Sequence, residues 1–154
     1  VKPAAHEPDG CRCGALAARP RRRVRALQGP EGETVRSAYL FGSHAEGRAH
    51  RESDIDVGVL LDRRALPGAR DRFETALRLS AHLQSAVGTR HVDLVVLNDV
   101  PPGLGRRVVS RGRRLICSDE EADHAFVRDA LLRAADLEPF LRRTLDLKLE
   151  ALAR

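Results

Sequence analysis

Asp54 and Asp56 stand one residue apart in "SDIDVGVLLD", and Gly42-Ser43 closes the apolar run "VRSAYLF" shortly before them. Alternate side chains of a strand leave by the same face, so the two carboxylates would be aimed together from Cα atoms roughly 6.5–7 Å apart. Like charges held that close repel unless solvent or cations neutralise them, and hard carboxylate oxygens suit magnesium. A glycine at a strand end lets a phosphate approach the backbone, and the serine after it offers a hydroxyl and an N–H. If Ser43 begins a short helix, the positive dipole end adds to anion binding. Asp93 lies between apolar neighbours in "HVDLVVLN", a costly place for an unpaired carboxylate. Should its strand lie beside that of Asp56, three carboxylates converge opposite a turn suited to phosphate.

The elements that must position these groups are legible from periodicity. "VRSAYLF" has the β-branched and aromatic content of a first strand, and "DIDVGVLL" forms a second whose continuous apolar end implies burial on both faces. "GARDRFETALRLSAHLQSAVG" repeats Phe73, Leu77, Leu79, Leu83 and Val87 near helical spacing and stops at Gly88. "HVDLVVLN" is a third strand, "PPGLGRRVVSRG" holds a short helix, and "RRLIC" is a fourth strand in which Cys117 reads as a small buried residue. Ser118 with Glu121 matches a capping box that opens a long helical end, with Phe126, Leu131, Leu137, Leu141, Leu145 and Leu152 as apolar faces. Pro139 should divide that end into two successive helices. The expected class is α/β (α+β), a mixed sheet of about four strands flanked by helices, with a helical C-terminus from about residue 119.

A chain of 154 residues suits one domain, here residues 15–154, after a poorly ordered leader over residues 1–14. "ALAARPRRRVRALQ" adds a basic amphipathic helix interrupted at Pro20. No apolar run reaches the roughly 18–20 residues that span a bilayer, and no secretory h-region is present, so a soluble cytoplasmic protein is expected. The net charge of +5 is almost wholly arginine, with Lys2 and Lys148 the only lysines, and no aromatic platform accompanies it. Direct nucleic-acid binding is therefore not expected. Cys11 and Cys13, with His6 nearby, lack a fourth zinc ligand at a familiar spacing and read as free thiols.

Each motif also has a bland reading. Ser43 and Glu46 fit a capping box, "SDID" fits a turn, and Asp93 could pair with Arg90 or another arginine. His44 and His50 read as solvated loop residues because imidazole is a poor magnesium ligand, and Tyr39 reads as core. The ordered set is harder to explain by chance than its members.

Gly42-Ser43-x-Ala45-x-Gly47, then Ser53-Asp54-x-Asp56 and Asp93, resembles the signature of the polymerase-β-like nucleotidyltransferase superfamily. Over about residues 35–152 the chain looks like the MntA-type minimal nucleotidyltransferases, the antitoxins of HEPN/MNT toxin–antitoxin pairs. That resemblance implies the polymerase-β-like fold and transfer of AMP from ATP to a tyrosine hydroxyl of a cognate HEPN ribonuclease toxin, in a hetero-oligomer. It implies that Gly42 and Ser43 bind the triphosphate, and that Asp54 and Asp56 coordinate two magnesium ions. Asp93 would join the metal that activates the acceptor hydroxyl. Position 46 is often basic in similar proteins; Glu46 stands here, and Arg48 is the substitute candidate. The alternatives are a nucleotidyltransferase acting on a small molecule such as an aminoglycoside, and an antitoxin that neutralises its toxin by binding alone.

Overall fold

The computed structural model describes residue 27 and residues 30–50 and 52–152. The leader expected over 1–14, the two N-terminal cysteines and the basic helix, apart from Leu27, lie outside the described residues. Four strands form one mixed sheet: β1 (Val35–Phe41), β2 (Ile55–Leu61), β3 (Val92–Val96) and β4 (Arg113–Cys117), in the order β3-β2-β1-β4. β1 runs antiparallel to β2 and β4, while β2 and β3 are parallel. A parallel pair needs a crossover, and helix α2 (Ala69–Val87) supplies it; a four-residue turn of helix, α1 (Gly42–Ala45), follows β1. Helices α3 (Pro102–Arg111) and α4 (Glu120–Leu152) complete the chain. Among the described residues, no helix is long and apolar enough to cross a membrane.

Strand alternation sorts β2 into two faces. Ile55, Val57, Val59 and Leu61 pack with Leu79, Leu83 and Val87 of α2, and Leu60 packs on the other side with Tyr39, Leu97 and Val108. Asp56, Gly58 and Leu60 therefore look toward α3 and α4. Gly58 is required there by closeness, because a Cβ would lie 2.7 Å from a Leu97 methyl.

α2 buries Leu79, Leu83 and Val87 as its periodicity suggests, but smaller and polar residues, not Phe73 and Leu77, complete that stripe. Arg72, Thr75, Ala76, Leu79, Leu83 and Val87 are buried, whereas Phe73 and Leu77 are more than half exposed. The reason is Arg72, whose guanidinium makes paired hydrogen bonds to Asp99 at 2.8 and 2.7 Å and donates to the carbonyls of Leu66 and Pro67. A buried, fully paired arginine rotates the helix so that small residues meet the sheet. Gly88 ends the helix in the left-handed region at φ 76°, its N–H bonded to the Gln84 carbonyl.

The C-terminal end also departs from expectation. α4 is a single helix of 33 residues with Pro139 inside it, not two helices. Proline removes one backbone donor, and its neighbours are good helix formers braced by Glu138, which accepts from Arg106 and Arg142. Asp119, not Ser118, caps the helix by accepting from the Ala122 N–H at 2.9 Å; the Ser118 hydroxyl donates to the Val35 carbonyl instead. Of the leucines expected to face the core, Leu131, Leu141, Leu145 and Leu152 are exposed, and the buried positions are Asp123, Ala130 and Ala134. Small residues let the helices meet closely: a Cβ on Gly105 of α3 would sit 3.3 Å from that of Ala130. Cys117 is only half-buried.

Asp123 is the polar bolt between α4 and the sheet. It is 1% exposed, accepts from the Tyr39 hydroxyl at 2.7 Å and pairs with Arg114 at 2.8 Å. Burial opposes its ionisation, but hydrogen bonds led by that from Tyr39 outweigh it and hold the carboxyl below the usual carboxylate range. For Tyr39, burial and the Asp123 carboxylate push the phenol well above its usual range. Asp123→Ala should cost about 2 kcal/mol in urea denaturation, because it leaves the buried Tyr39 hydroxyl without its acceptor. A folded carboxyl held low contributes stability that is complete above its unfolded value and lost as pH falls through its folded one. The variant should therefore lose less stability than the parent between pH 5 and the acid transition.

Candidate active site

The turn and the carboxylates meet at one end of the β2 strand. Phe41 is the register partner of Asp56, so Gly42 leaves the sheet directly beside that aspartate. Gly42 has φ 70°, and a Cβ there would lie 2.0 Å from Asp56 Oδ2. The glycine is needed twice, for its backbone conformation and for the space the carboxylate occupies. Ser43 follows within α1, and its carbonyl accepts from the Arg48 N–H at 2.9 Å, which curls the linker back over the turn.

Parallel pairing of β2 and β3 places Asp93 opposite Asp56. Both belong to the face that looks toward α3. Asp54 precedes β2, largely exposed, and the Ile55 N–H donates to the His91 carbonyl, tying the start of β2 to the start of β3. The Asp56 carboxyl is raised above the usual range, first by burial and then by the negative charges of Asp93 and Asp54, with only partial relief from His44 and Arg107. Among the described residues, Asp93 and Arg90 form no ion pair, so the alternative role for Asp93 has no support.

Three features escaped the sequence reading. His91 Nδ1 lies 3.1 Å from Asp54 Oδ1, so the strands pair His91-x-Asp93 against Asp54-x-Asp56. That shared i, i+2 spacing was present in the sequence, but only the strand register gives it meaning. His44 is buried at 8% exposure rather than solvated, its Nε2–H donating to the Ser53 carbonyl at 3.1 Å, and so it clamps the ends of the linker. His50 is exposed, with its N–H bonded to the Ser53 hydroxyl. Glu46 lies beyond α1 and makes no capping box; it pairs with Arg48 and, at 3.5 Å, with Arg107 of α3.

The donor set suits a hard divalent cation: carboxylate oxygens, and one carboxyl whose ionisation its neighbours already oppose. Among the described residues, no three acidic, histidine or cysteine side chains are already gathered into a closed metal cluster. What stands ready is a set of carboxylates on adjacent chain segments beside an open turn. A cavity of about 480 Å³ opens at the opposite end of β2, lined by Leu60, Asp62, Leu97 and Phe126. None of the three aspartates borders it.

Known proteins resemble this chain in sequence and in fold. The chain is 41% identical over 81 residues to the protein adenylyltransferase MntA of Shewanella oneidensis, a match covering 50% of each chain. It thus spans about half the length of that curated relative. A chain in the crystal structure of a toxin–antitoxin with AMP-PNP superposes with a TM-score of 0.63 at 27% identity, covering 84% of this chain and 97% of that one. The fold recurs, at 23% identity and a TM-score of 0.61, in the complex of tri-AMPylated Shewanella oneidensis HEPN toxin with MNT antitoxin, over 87% of this chain and 98% of that one. Residues 30–121, from the segment before β1 to the first turn of α4, match the family described as polymerase beta, nucleotidyltransferase, and the chain belongs to that family.

Proposed function

We propose that the protein is a divalent-metal-dependent adenylyltransferase that moves AMP from ATP to a tyrosine hydroxyl of a cognate HEPN toxin, thereby acting as its antitoxin. The observation that carries this reading is the pairing of Asp56 with Asp93 beneath a glycine that must lack a side chain. Its similarity to MntA and to a toxin–antitoxin chain studied with AMP-PNP supports the donor and the protein acceptor.

Asp54, Asp56 and Asp93 would hold two magnesium ions, which when bound supply charge neutralisation and lower the pKa of the acceptor hydroxyl. The rest of the chemistry is positioning. The Gly42-Ser43 turn receives the triphosphate without a side chain in the way, with the Ser43 hydroxyl as a donor and Arg48 on the same linker adding positive charge. Asp93 accepts the proton as the tyrosine oxygen attacks the α-phosphorus; the new P–O bond forms as the bond to the β-phosphate bridge breaks, and pyrophosphate leaves. Holding the reactants in line, with the negative charge offset, is where most of the rate enhancement would arise.

The test is co-expression with a candidate HEPN toxin, followed by mass spectrometry of that partner. An AMP adduct on tyrosine, dependent on ATP and magnesium, is the expected result. An unmodified partner that is nevertheless inhibited would favour antitoxin action by binding alone. An adduct on a small molecule instead would favour the aminoglycoside-like alternative.

A further inference from the structure

Glu46 gathers positive charge at the edge of the carboxylate site. Its backbone N–H is bonded to the Gly42 carbonyl at 3.1 Å, so it is fixed to the same turn that abuts Asp56. Its carboxylate is 12% exposed and pairs with two guanidiniums, Arg48 from the linker and Arg107 from α3. Arg107 arrives there because the end of α3 is pressed against the sheet: Val108 is fully buried, and a Cβ on Gly112 would lie 3.0 Å from the Leu40 carbonyl, two residues before Gly42. Glu46 is held ionised below the usual carboxylate range, first by its bond to Arg48 and then by the charges of Arg48, Arg107 and Arg111. Arg107 also offsets part of the negative charge around Asp56.

Two arginines on one glutamate leave a net positive charge, and both guanidiniums are at least half exposed, at 65% for Arg48 and 51% for Arg107. Glu46 Oε1 lies 3.5 Å from one Nη of Arg107, an ion pair without a hydrogen bond, and a guanidinium has five donors in a planar fork. The unused edge is the kind that binds phosphate oxygens in pairs. A polyphosphate brought to a cluster of aspartates needs such a cation nearby, since the carboxylates themselves repel it.

We propose, resting on the transferase reading above, that Arg107 contacts the β- and γ-phosphates of the bound nucleotide and that Glu46 is a positioning residue that fixes its guanidinium against the Gly42 turn. Arg107 thereby makes the site selective for a triphosphate over a monophosphate. α3, which carries none of the acidic residues, becomes part of the nucleotide site.

The experiment measures the affinities of AMP-PNP and AMP by calorimetry, with magnesium present at fixed ionic strength. Arg107→Ala should weaken AMP-PNP about tenfold and AMP less than about twofold, since one charged phosphate contact is lost. Arg107→Lys should recover part of the loss, and Glu46→Gln should weaken AMP-PNP severalfold while melting within a few degrees of the parent. A structural role would weaken both nucleotides alike, and that outcome overturns the proposal, as does unchanged AMP-PNP binding by Arg107→Ala. If the unsubstituted protein binds neither nucleotide, the transferase reading falls and takes this one with it. Binding by the parent with an unaltered nucleotide preference in Arg107→Ala rejects the role of Arg107 alone.

Discussion

Asp56→Asn is expected to abolish nucleotide transfer and, at the same time, to make the protein more resistant to heat. Asp56 is the central carboxylate, beside Gly42 on one side and Asp93 on the other. On the proposed assignment, removing its charge takes away a metal ligand, and losing several kcal/mol of transition-state stabilisation lowers the rate about a thousandfold or more. The opposite sign for stability follows from its raised carboxyl, whose ionised form is penalised by burial and then by Asp93 and Asp54. A carboxyl with a higher pKa in the folded state costs stability as pH rises from its unfolded value, the penalty being complete above its folded one, so a neutral isostere relieves it. Melting curves at pH 8 should show Asp56→Asn above the parent without magnesium, while added magnesium should raise the parent and leave the variant unmoved. Retained transfer would reject the assignment of Asp56, and a lower melting temperature would reject the charge-repulsion account of the site.

Gly42→Ala should be nearly as damaging for a different reason. The new methyl would be built 2.0 Å from Asp56 Oδ2 on a residue with φ 70°, so the carboxylate or the turn must move. The left-handed backbone alone costs an alanine about 1–2 kcal/mol. Displacing a reacting group by roughly 1 Å costs on the order of a hundredfold in rate. Gly47→Ala separates the two effects, because Gly47 has φ 68° with nothing within 4 Å of a built Cβ. It should show a similar loss in stability but transfer within about fivefold of the parent. Equal losses of transfer in the two variants would mean that backbone strain, not the encroachment on Asp56, governs the site.

Residue content and apolar runs placed three strands almost to the residue, "VRSAYLF", "DIDVGVLL" and "RRLIC", whereas the strand in "HVDLVVLN" ends at Val96 because Leu97 and Asn98 already belong to a 3-10 turn. The same local logic marked Gly42 as a turn and aligned Asp54 with Asp56, because both conclusions depend only on covalent geometry and strand pleat. It misjudged the helices where a long-range partner outweighed side-chain size. Phe73 and Leu77 are outside because Arg72 is buried on Asp99, and the leucines of α4 are outside because Ala130 and Ala134 allow the close approach of α3. Pro139 was read as a break because propensity is local, while its neighbours and the Glu138 ion pairs keep the helix continuous.

What only the tertiary structure decided is which distant residues share a place. Asp93 sits beside Asp56, His91 beside Asp54, and Arg107 across from Glu46, through a parallel strand register and a helix end packed on β1. Residue types and spacings along the chain determine what each side chain is able to do. Whether charges separated by tens of residues repel, pair or cooperate depends on distances of a few ångströms, and those exist only once the sheet and its helices have closed.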